Sequence, residues 1–461
     1  MEDACFGSDR IREYGCRIWH FMKGPLFIVI IIGLAARLIL APLLTYNFDV
    51  SGWATVIENI ESGNGLYGLA GYYYAPPWGY ILGFVSQFQD LFLSIADFGE
   101  KVSSAIAIEG YTDWFFTSDL TTVSFNVFIK IPLFICDIVV GYLVYWLVDD
   151  MTGDKKKSVT AFAIWFLCPF VIVVAGVGGM FDTFAALMLL LAVIFVRKER
   201  FFLAGAMFSL AFLTKLFPAF LLFALVGYIL MRHRGDGTAY WKIGYAAAGF
   251  FVMAAVVLVP EIAQGNLSDC FSFLTSRVTS GMDSNLGGIE SYGTVIAYVA
   301  IIIVSMLIGW KLSKSRSGDP DRKFMFVCMV TLAILFLFPS APQYLIILVP
   351  FVAVYISVYS KEYVRPFTVL SIGTTLFVLA SNFTLLLSFA EYTGIIDINT
   401  VLSLADWFQT DTLGMSKMSW VYYIGGVTQW VGVLLMVITA AKEAKLHSGH
   451  GGNTMPEEAV S

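Results

Sequence analysis

Charged residues are scarce in this chain. Asp, Glu, Lys and Arg make up 13% of its 461 residues, which is about half of their share in an ordinary soluble domain. The formal net charge of −6 is modest, and the sequence contains no long basic block. The composition therefore argues against a soluble globular protein and against nucleic acid as a partner.

The cysteines are few and show no useful pattern. The six residues are scattered at positions 5, 16, 136, 168, 270 and 328. Their spacing matches no metal site, and most of them fall in apolar runs or on the side predicted below to face inward. We interpret them as passive residues rather than as a disulfide framework.

Apolar residues are abundant instead. They make up 58% of the chain, and the mean hydropathy is +0.78. Several long, predominantly apolar runs, among them 25–44, 241–260 and 366–388, approach or exceed the roughly 20 residues that a helix needs to cross a bilayer. The sequence therefore predicts an all-α polytopic membrane protein, a single integral membrane domain over residues 1–461.

The positions of Lys and Arg beside the apolar runs predict the orientation, because cytoplasmic connections retain an excess of them. Basic residues flank the first run and recur in "DKKKS", "RKER", "RHR", "KLSKSR", "KEYVR" and "AKEAK". The alternate connections are acidic: residues 97–122 hold five acids against one lysine, and residues 389–418 hold four acids against one lysine. We therefore expect the basic connections inside and the acidic ones outside.

Counting between the basic clusters predicts about 12 to 13 spans. Their expected positions are 25–44, 123–148, 159–175, 180–197, 201–214, 216–231, 241–260, 292–311, 324–338, 342–359, 366–388 and 419–441.

A long first extracytoplasmic loop is predicted over residues 45–122. Residues 76–96 would reverse the charge pattern if they crossed the membrane, so we interpret them as an interfacial helix that begins at the Pro pair. Loops of this length usually carry function. At the other end of the chain, residues 442–461 are predicted to form a flexible cytoplasmic tail.

Two classes of function fit such a protein, a membrane-surface enzyme and a transporter. A transporter usually places its polar site near the bilayer midplane, in broken helices. Here the polar residues collect at outer helix ends: Asp49 follows the first span, Asp182 follows "GVGGMF", Lys215 lies in "FLTKLFP", and Gln343 lies in "PSAPQY". Each one alone is compatible with a capping or solvated residue, but together they favour one site on the outer face.

The motifs that surround these residues resemble those of the GT-C superfamily of membrane glycosyltransferases. The resemblance rests on an acid after the first span ("LAARLILAPLLTYNFD"), the segment "YYAPPWGY", the run "IKIPLFICDIVVGYLVY" and the turn "GVGGMFD". It continues through "LAGAMFSLAFLTKLFPAFLL" and "SAPQYLIILVPF", which looks like the Pro-Gln-Tyr element of the glycosylphosphatidylinositol-type mannosyltransferase branch.

The resemblance implies a bundle of many spans that transfers a sugar, with mannose favoured, from a polyprenyl-phosphate (dolichyl-phosphate-like) carrier. The acceptor would be a hydroxyl of a glycan, a lipid or a protein, and membrane lipids would be further partners. The implied location is the plasma membrane of a prokaryote, in preference to the endoplasmic reticulum, with an extracytoplasmic active site. A transporter or flippase of lipid-linked sugars is the alternative.

The chemistry of this transfer requires a base for the acceptor hydroxyl and cations for the departing phosphate. We expect Asp49 to be the general base and Asp182 to orient the acceptor, with inversion at the anomeric carbon. The phosphate partners are expected among Lys130, Lys215 and Arg277, although Lys130 also suits a snorkelling role and Arg277 a solvated loop. Two acids are too few oxygen ligands for a dedicated divalent-ion site, so no obligatory metal or other cofactor is predicted.

Aromatic and amide side chains complete the predicted substrate site. Tyr74 and Trp78, with their neighbours in "GYYYAPPWGY", are expected to contact the sugar or the lipid, or else to anchor the interfacial belt. The Pro-Gln-Tyr resemblance adds Gln343 and Tyr344. Within the spans, Arg37 and Asp137 are expected to pair, because unpaired charges are costly there.

Overall fold

The computed structural model describes residues 24–68, 72–88, 120–272, 287–315, 318–337, 341–380 and 384–449. Almost all of the regular structure in these ranges is helical, and the chain is an all-α polytopic membrane protein. The α-helices are α1 (Pro25–Leu43), α2 (Asn47–Glu61), α3 (Pro76–Ser86), α4 (Val123–Thr152), α5 (Lys155–Phe166), α6 (Pro169–Gly176), α7 (Asp182–Arg197), α8 (Phe201–Thr214), α9 (Leu222–Arg232), α10 (Ala239–Ala263), α11 (Leu267–Cys270), α12 (Gly287–Lys314), α13 (Pro320–Leu335), α14 (Val349–Val358), α15 (Val364–Ala380), α16 (Leu387–Thr393), α17 (Ile398–Gln409) and α18 (Lys417–Gly449).

Short 3₁₀ helices and one small hairpin complete the described structure. The 3₁₀ helices cover Phe217–Leu221, Pro342–Leu348 and Lys361–Tyr363. Strands β1 (Asp411–Thr412) and β2 (Met415–Ser416) pair in antiparallel register immediately before α18.

Six helices within the described residues are long and apolar enough to cross a membrane, and the bent pair α5 and α6, with an angle of 49°, makes a seventh if it forms one span. Each of the twelve predicted spans overlaps a described helix, and residues 338 and 381–383 of these spans lie outside the described ranges. Several of the helices are short: α7 and α13 have 16 residues each and α8 has 14. The total number of spans therefore stays a prediction. Helix α3 begins at Pro76, at the Pro pair, and its 11 residues are too few to cross. Residues 89–96 of the predicted interfacial helix lie outside the described residues.

A buried ion pair joins two of the spanning helices, as the sequence predicts. The Arg37 Nε of α1 lies 2.7 Å from the Asp137 Oδ2 of α4, and both side chains are fully buried. Arg37 also donates to the carbonyls of Gly33 and Phe166, and Trp165 Nε1 donates to the Asp137 carbonyl. These contacts fix α1, α4 and α5 against one another just before the chain leaves α1.

The apolar core has two main parts. The larger one is formed mostly by α4 to α9 and α13 to α15. The smaller one gathers α2, the segment before α3, the first turns of α4 and the turn that follows α6. The predicted site residues collect beside this smaller core.

Candidate functional site

Asp49 lies in the first turn of α2, directly after a short non-helical segment that separates α2 from α1. Helix α1 ends at Leu43, and the non-helical residues 44–46 separate it from α2. Lys130 of α4 stabilises this segment: its ammonium donates to the carbonyls of Ala41 (3.1 Å) and Leu44 (3.0 Å) and to Thr45 Oγ1 (3.1 Å).

The contacts of Lys130 change its expected role. An ammonium group has three donors, and all three are used on the end of α1 and on Thr45. Lys130 therefore supports the non-helical segment before Asp49, and its ammonium is not available to a phosphate ligand in this arrangement.

Asp182 begins α7 after the tight turn of the "GVGGMFD" motif. Gly179 has a φ of +61°, a left-handed conformation that glycine adopts without a steric penalty. A Cβ atom at this position would lie 3.0 Å from Val50 Cγ2, and the Gly179 carbonyl accepts a hydrogen bond of 3.1 Å from Trp53 Nε1. The turn that carries Asp182 is thus packed directly on the helix that carries Asp49.

Lys215 reaches the same place from the end of α8. The backbone of Lys215 is extended (φ −149°, ψ 145°) and ends the helix three residues before Pro218, where a proline prevents the helix from continuing. The Lys215 ammonium lies 3.5 Å from Asp182 Oδ1, and the two side chains are 5% and 1% exposed.

Aromatic rings surround the Lys215 ammonium. It lies 4.2 Å from the centre of the Phe181 ring, 4.7 Å from that of Tyr74 and 5.0 Å from that of Tyr344. These distances are within the range of a cation–π attraction. The predicted residues Asp182, Lys215, Tyr74 and Tyr344 therefore form one cluster.

Hydrogen bonds shape the aromatic segment before α3. Tyr67 Oη donates to the Tyr74 carbonyl (2.6 Å), and Tyr72 Oη donates to the Ala75 carbonyl (2.8 Å) and accepts from the Gly79 amide (2.9 Å). Tyr73 stacks on Tyr74 with ring centres 4.5 Å apart. The hydroxyls of Tyr67 and Tyr72 and the ring of Tyr73 thus hold the segment that places Tyr74 beside Lys215.

The Asp49 carboxyl is electrostatically part of this cluster. Desolvation raises the pKa of Asp49 to about 7, the positive charge of Lys215 lowers it, and the negative charge of Asp182 raises it. A carboxyl group with a pKa close to the working pH is suited to accept a proton during catalysis.

The other predicted residues lie at varying distances from the cluster. Trp78 is buried and stacks on Phe181 with ring centres 5.4 Å apart, which makes it a support for the ring that faces Lys215. Gln343 is partly exposed next to Tyr344 on the 3₁₀ helix Pro342–Leu348. Arg277 lies outside the described residues.

Two contributors were not predicted. Phe181 packs under Lys215, and Trp53 contacts both Phe181 (5.5 Å between ring centres) and the Gly179 carbonyl. The sequence held a signal for each: Phe181 precedes Asp182 in the quoted motif, and Trp53 lies four residues after Asp49, on the same helix face.

The site shows no metal-binding group within the described ranges. No set of three or more His, Cys, Asp and Glu side chains is placed there to hold a metal ion. Metal independence stays a prediction.

Comparison with known proteins connects the cluster to a family. A sequence model of glycosyltransferase family 87, a family of GT-C type, matches residues 123–339, just under half of the chain. The matched region contains Asp182 and Lys215, whereas Asp49 and Tyr344 flank it. No curated protein matches the chain. The match agrees with the motif resemblance, and the chain is a glycosyltransferase of the GT-C type.

Proposed function

We propose that this glycosyltransferase moves a sugar from a polyprenyl-phosphate carrier to an acceptor hydroxyl at the extracytoplasmic membrane face, with Asp49 as the general base. The observation that carries the proposal is the convergence of Asp49, Asp182 and Lys215, which come from three separate elements, beside one aromatic cluster.

Asp49 takes the proton of the acceptor. Its partly exposed position and a pKa of about 7 suit this task, since a useful fraction is ionised near neutral pH. The acceptor oxygen attacks the anomeric carbon while the bond from that carbon to the phosphate oxygen breaks. One displacement of this kind inverts the configuration of the anomeric carbon.

Lys215 stabilises the departing polyprenyl phosphate. In the absence of substrate its ammonium is held by Asp182 and the surrounding rings. When the donor binds, the phosphate competes for the ammonium, and the Asp182 carboxylate becomes available to orient the acceptor hydroxyl. A preorganised cation placed where negative charge develops is an effective form of transition-state stabilisation.

The pocket beside Lys215 suits an apolar carrier. It is lined by Tyr74, Ala75, Phe212, Leu213, Thr214, Lys215, Leu216, Cys270 and Phe271. Most of these side chains are apolar, and the one ammonium lies among them. This combination fits a phosphate that is attached to a hydrocarbon chain.

The identity of the sugar and the location of the enzyme are proposed from features of the sequence. The Pro-Gln-Tyr element at 342–344 favours mannose, and the acidic outer connections favour an extracytoplasmic site in a prokaryotic plasma membrane. The family match favours the enzyme over a transporter or flippase of lipid-linked sugars.

A reconstituted assay tests the proposal. Purified protein in lipid vesicles is given a synthetic polyprenyl-phosphate mannose and a hydroxyl acceptor, and released polyprenyl phosphate is measured. Asp49→Asn should bind the donor but transfer sugar about 100-fold or more slowly, since proton acceptance is lost. Asp411→Asn, the same change at an exposed residue of the β1–β2 hairpin, should behave like the wild type.

Two results would overturn the assignment. Transfer by Asp49→Asn at the wild-type rate would remove Asp49 as the base. Movement of the intact lipid-linked sugar across the vesicle membrane, with no release of polyprenyl phosphate from any of several carrier sugars, would favour the flippase.

A further inference from the structure

Helix α2 starts without a local cap, although it carries Asp49 in its first turn. Ser, Thr, Asp or Asn usually occupies the position before the helix and binds its free amides. Here Tyr46 occupies it and makes no side-chain capping bond. The position of the first turn therefore depends on contacts from elsewhere in the chain.

A segment more than 330 residues later in the sequence supplies several of those contacts. The Leu385 carbonyl accepts from the Thr45 amide (2.9 Å), and Ser388 Oγ donates to Asn47 Oδ1 (2.6 Å). The Asn47 amide nitrogen also faces the Thr384 carbonyl at 3.4 Å. Asn47 and Ser388 are 3% and 1% exposed, so water does not replace this bond.

The late segment is itself fixed. Leu387 and Ala390 pack with Leu120 and Val401 in a small apolar cluster. Tyr392 Oη donates to the Leu120 carbonyl (3.2 Å). The support behind Asn47 is thus braced by the end of the first outer loop and by α17.

Asn47 and Asp49 occupy different faces of the same turn. Residues two positions apart on a helix point in nearly opposite directions. Asn47 binds the late segment, whereas Asp49 interacts with Lys215 and Asp182. A small shift at Asn47 would therefore move the carboxyl relative to the ammonium, and displacements of about 1 Å change reaction rates by up to about 100-fold.

We propose that Ser388 and Asn47 are positioning residues that set the place of Asp49, so that the 384–388 segment belongs to the catalytic apparatus without touching the substrate. This inference rests on the proposed function, in which Asp49 is the base. Beyond that function, it says that catalysis depends on the hydrogen bond between Ser388 and Asn47, which lies on the opposite face of the helical turn that carries Asp49.

Kinetics of Ser388→Ala test the inference. We expect kcat to fall about 10-fold while KM for the polyprenyl-phosphate sugar stays within about twofold, because the base is misplaced but the donor contacts remain. Ser388→Thr, which keeps the hydroxyl, should recover most of the activity. Ser403→Ala, the same change at an exposed residue of α17, should have wild-type kinetics.

A double-mutant cycle separates positioning from a general loss of stability. In an Asp49→Asn background, Ser388→Ala should lower the remaining rate by less than about twofold, because a base that is absent cannot be misplaced. Loss of stability would instead lower the rate in both backgrounds by the same factor, and that result would overturn the inference.

The outcomes also distinguish this inference from the proposed function. If Asp49→Asn is inactive and Ser388→Ala has the wild-type kcat, the positioning role is wrong and the base stands. If Asp49→Asn is fully active, the base is wrong, and the positioning inference is overturned with it.

Discussion

The Lys215 ammonium lies 3.5 Å from Asp182 Oδ1, in a setting where both side chains are almost completely buried. A charge pair in such a place gains little net stability, since the cost of removing both ions from water offsets much of their attraction. The ammonium is surrounded by the rings of Phe181, Tyr74 and Tyr344, and its positive charge lowers the pKa of Asp49. We therefore interpret the pair as functional rather than stabilising.

Lys215→Met should impair use of the donor. The substitution keeps the length of the side chain and removes the charge that stabilises the leaving phosphate, so kcat/KM should fall about 100-fold. Steady-state kinetics with a polyprenyl-phosphate sugar measure the effect. Lys155→Met, at an exposed lysine of α5, is the matched control. If Lys215→Met uses the donor with the same kinetics as the wild type, Lys215 has a purely structural role.

The pH dependence of transfer should follow the ionisation of Asp49. A base with a pKa of about 7 is inactive when protonated, so kcat/KM should rise as the pH increases through about 7. Lys215 lowers this pKa and Asp182 raises it. The midpoint should therefore move up in Lys215→Met and down in Asp182→Asn, as pH–rate profiles of the three proteins would show. Shifts in the same direction in both variants would contradict this electrostatic arrangement.

Much of the helical framework could be predicted from the sequence, because hydrophobic runs and flanking charges directly reflect the bilayer. Each of the twelve predicted spans overlaps a helix in the part of the chain that the structure describes. The predicted span 201–214 coincides with α8, and the predicted span 180–197 contains α7. The bend of 49° between α5 and α6, where a single span was predicted over 159–175, could not be predicted, since it depends on packing against neighbouring helices.

The site was predictable in part. Asp182, Lys215, Tyr74 and Tyr344 meet because each lies at a helix end marked by a motif. Lys130 shows the limit of this reasoning. A lysine near the start of a helix has the same sequence signature whether it binds a substrate or the free backbone carbonyls at the end of another helix. Only the three acceptors around its ammonium distinguish the two cases.

Breaking the Arg37–Asp137 pair should destabilise the protein. Asp137→Asn leaves the buried guanidinium without its counter-ion, and we expect a loss of about 3 to 5 kcal/mol in the free energy of unfolding. Thermal unfolding in detergent measures it. The double variant Arg37→Met, Asp137→Leu, which removes both charges, should be more stable than Asp137→Asn. The opposite order would show that the pair contributes through its geometry rather than through charge compensation.

Tyr73 is expected to stack against the sugar. Tyr72, Tyr74 and Trp78 are buried, whereas Tyr73 is 39% exposed and its ring lies against Tyr74. It interacts electrostatically with Asp49 and Lys215, which places it at the site. A stacking contact worth up to about 1.5 kcal/mol corresponds to about a tenfold change in affinity, so Tyr73→Ala should raise KM for the donor by about that factor.

Comparison with Tyr73→Phe identifies which part of the side chain acts. Phenylalanine keeps the ring and loses the hydroxyl that contacts Tyr74 Oη at 3.2 Å, so KM should stay within about twofold if stacking dominates. Tyr423→Ala, at an exposed tyrosine of α18, controls for the loss of a surface ring. The Tyr73→Phe variant still offers a ring to the sugar. An equal rise in KM in Tyr73→Ala and Tyr73→Phe would therefore assign the effect to the hydroxyl and contradict the stacking role.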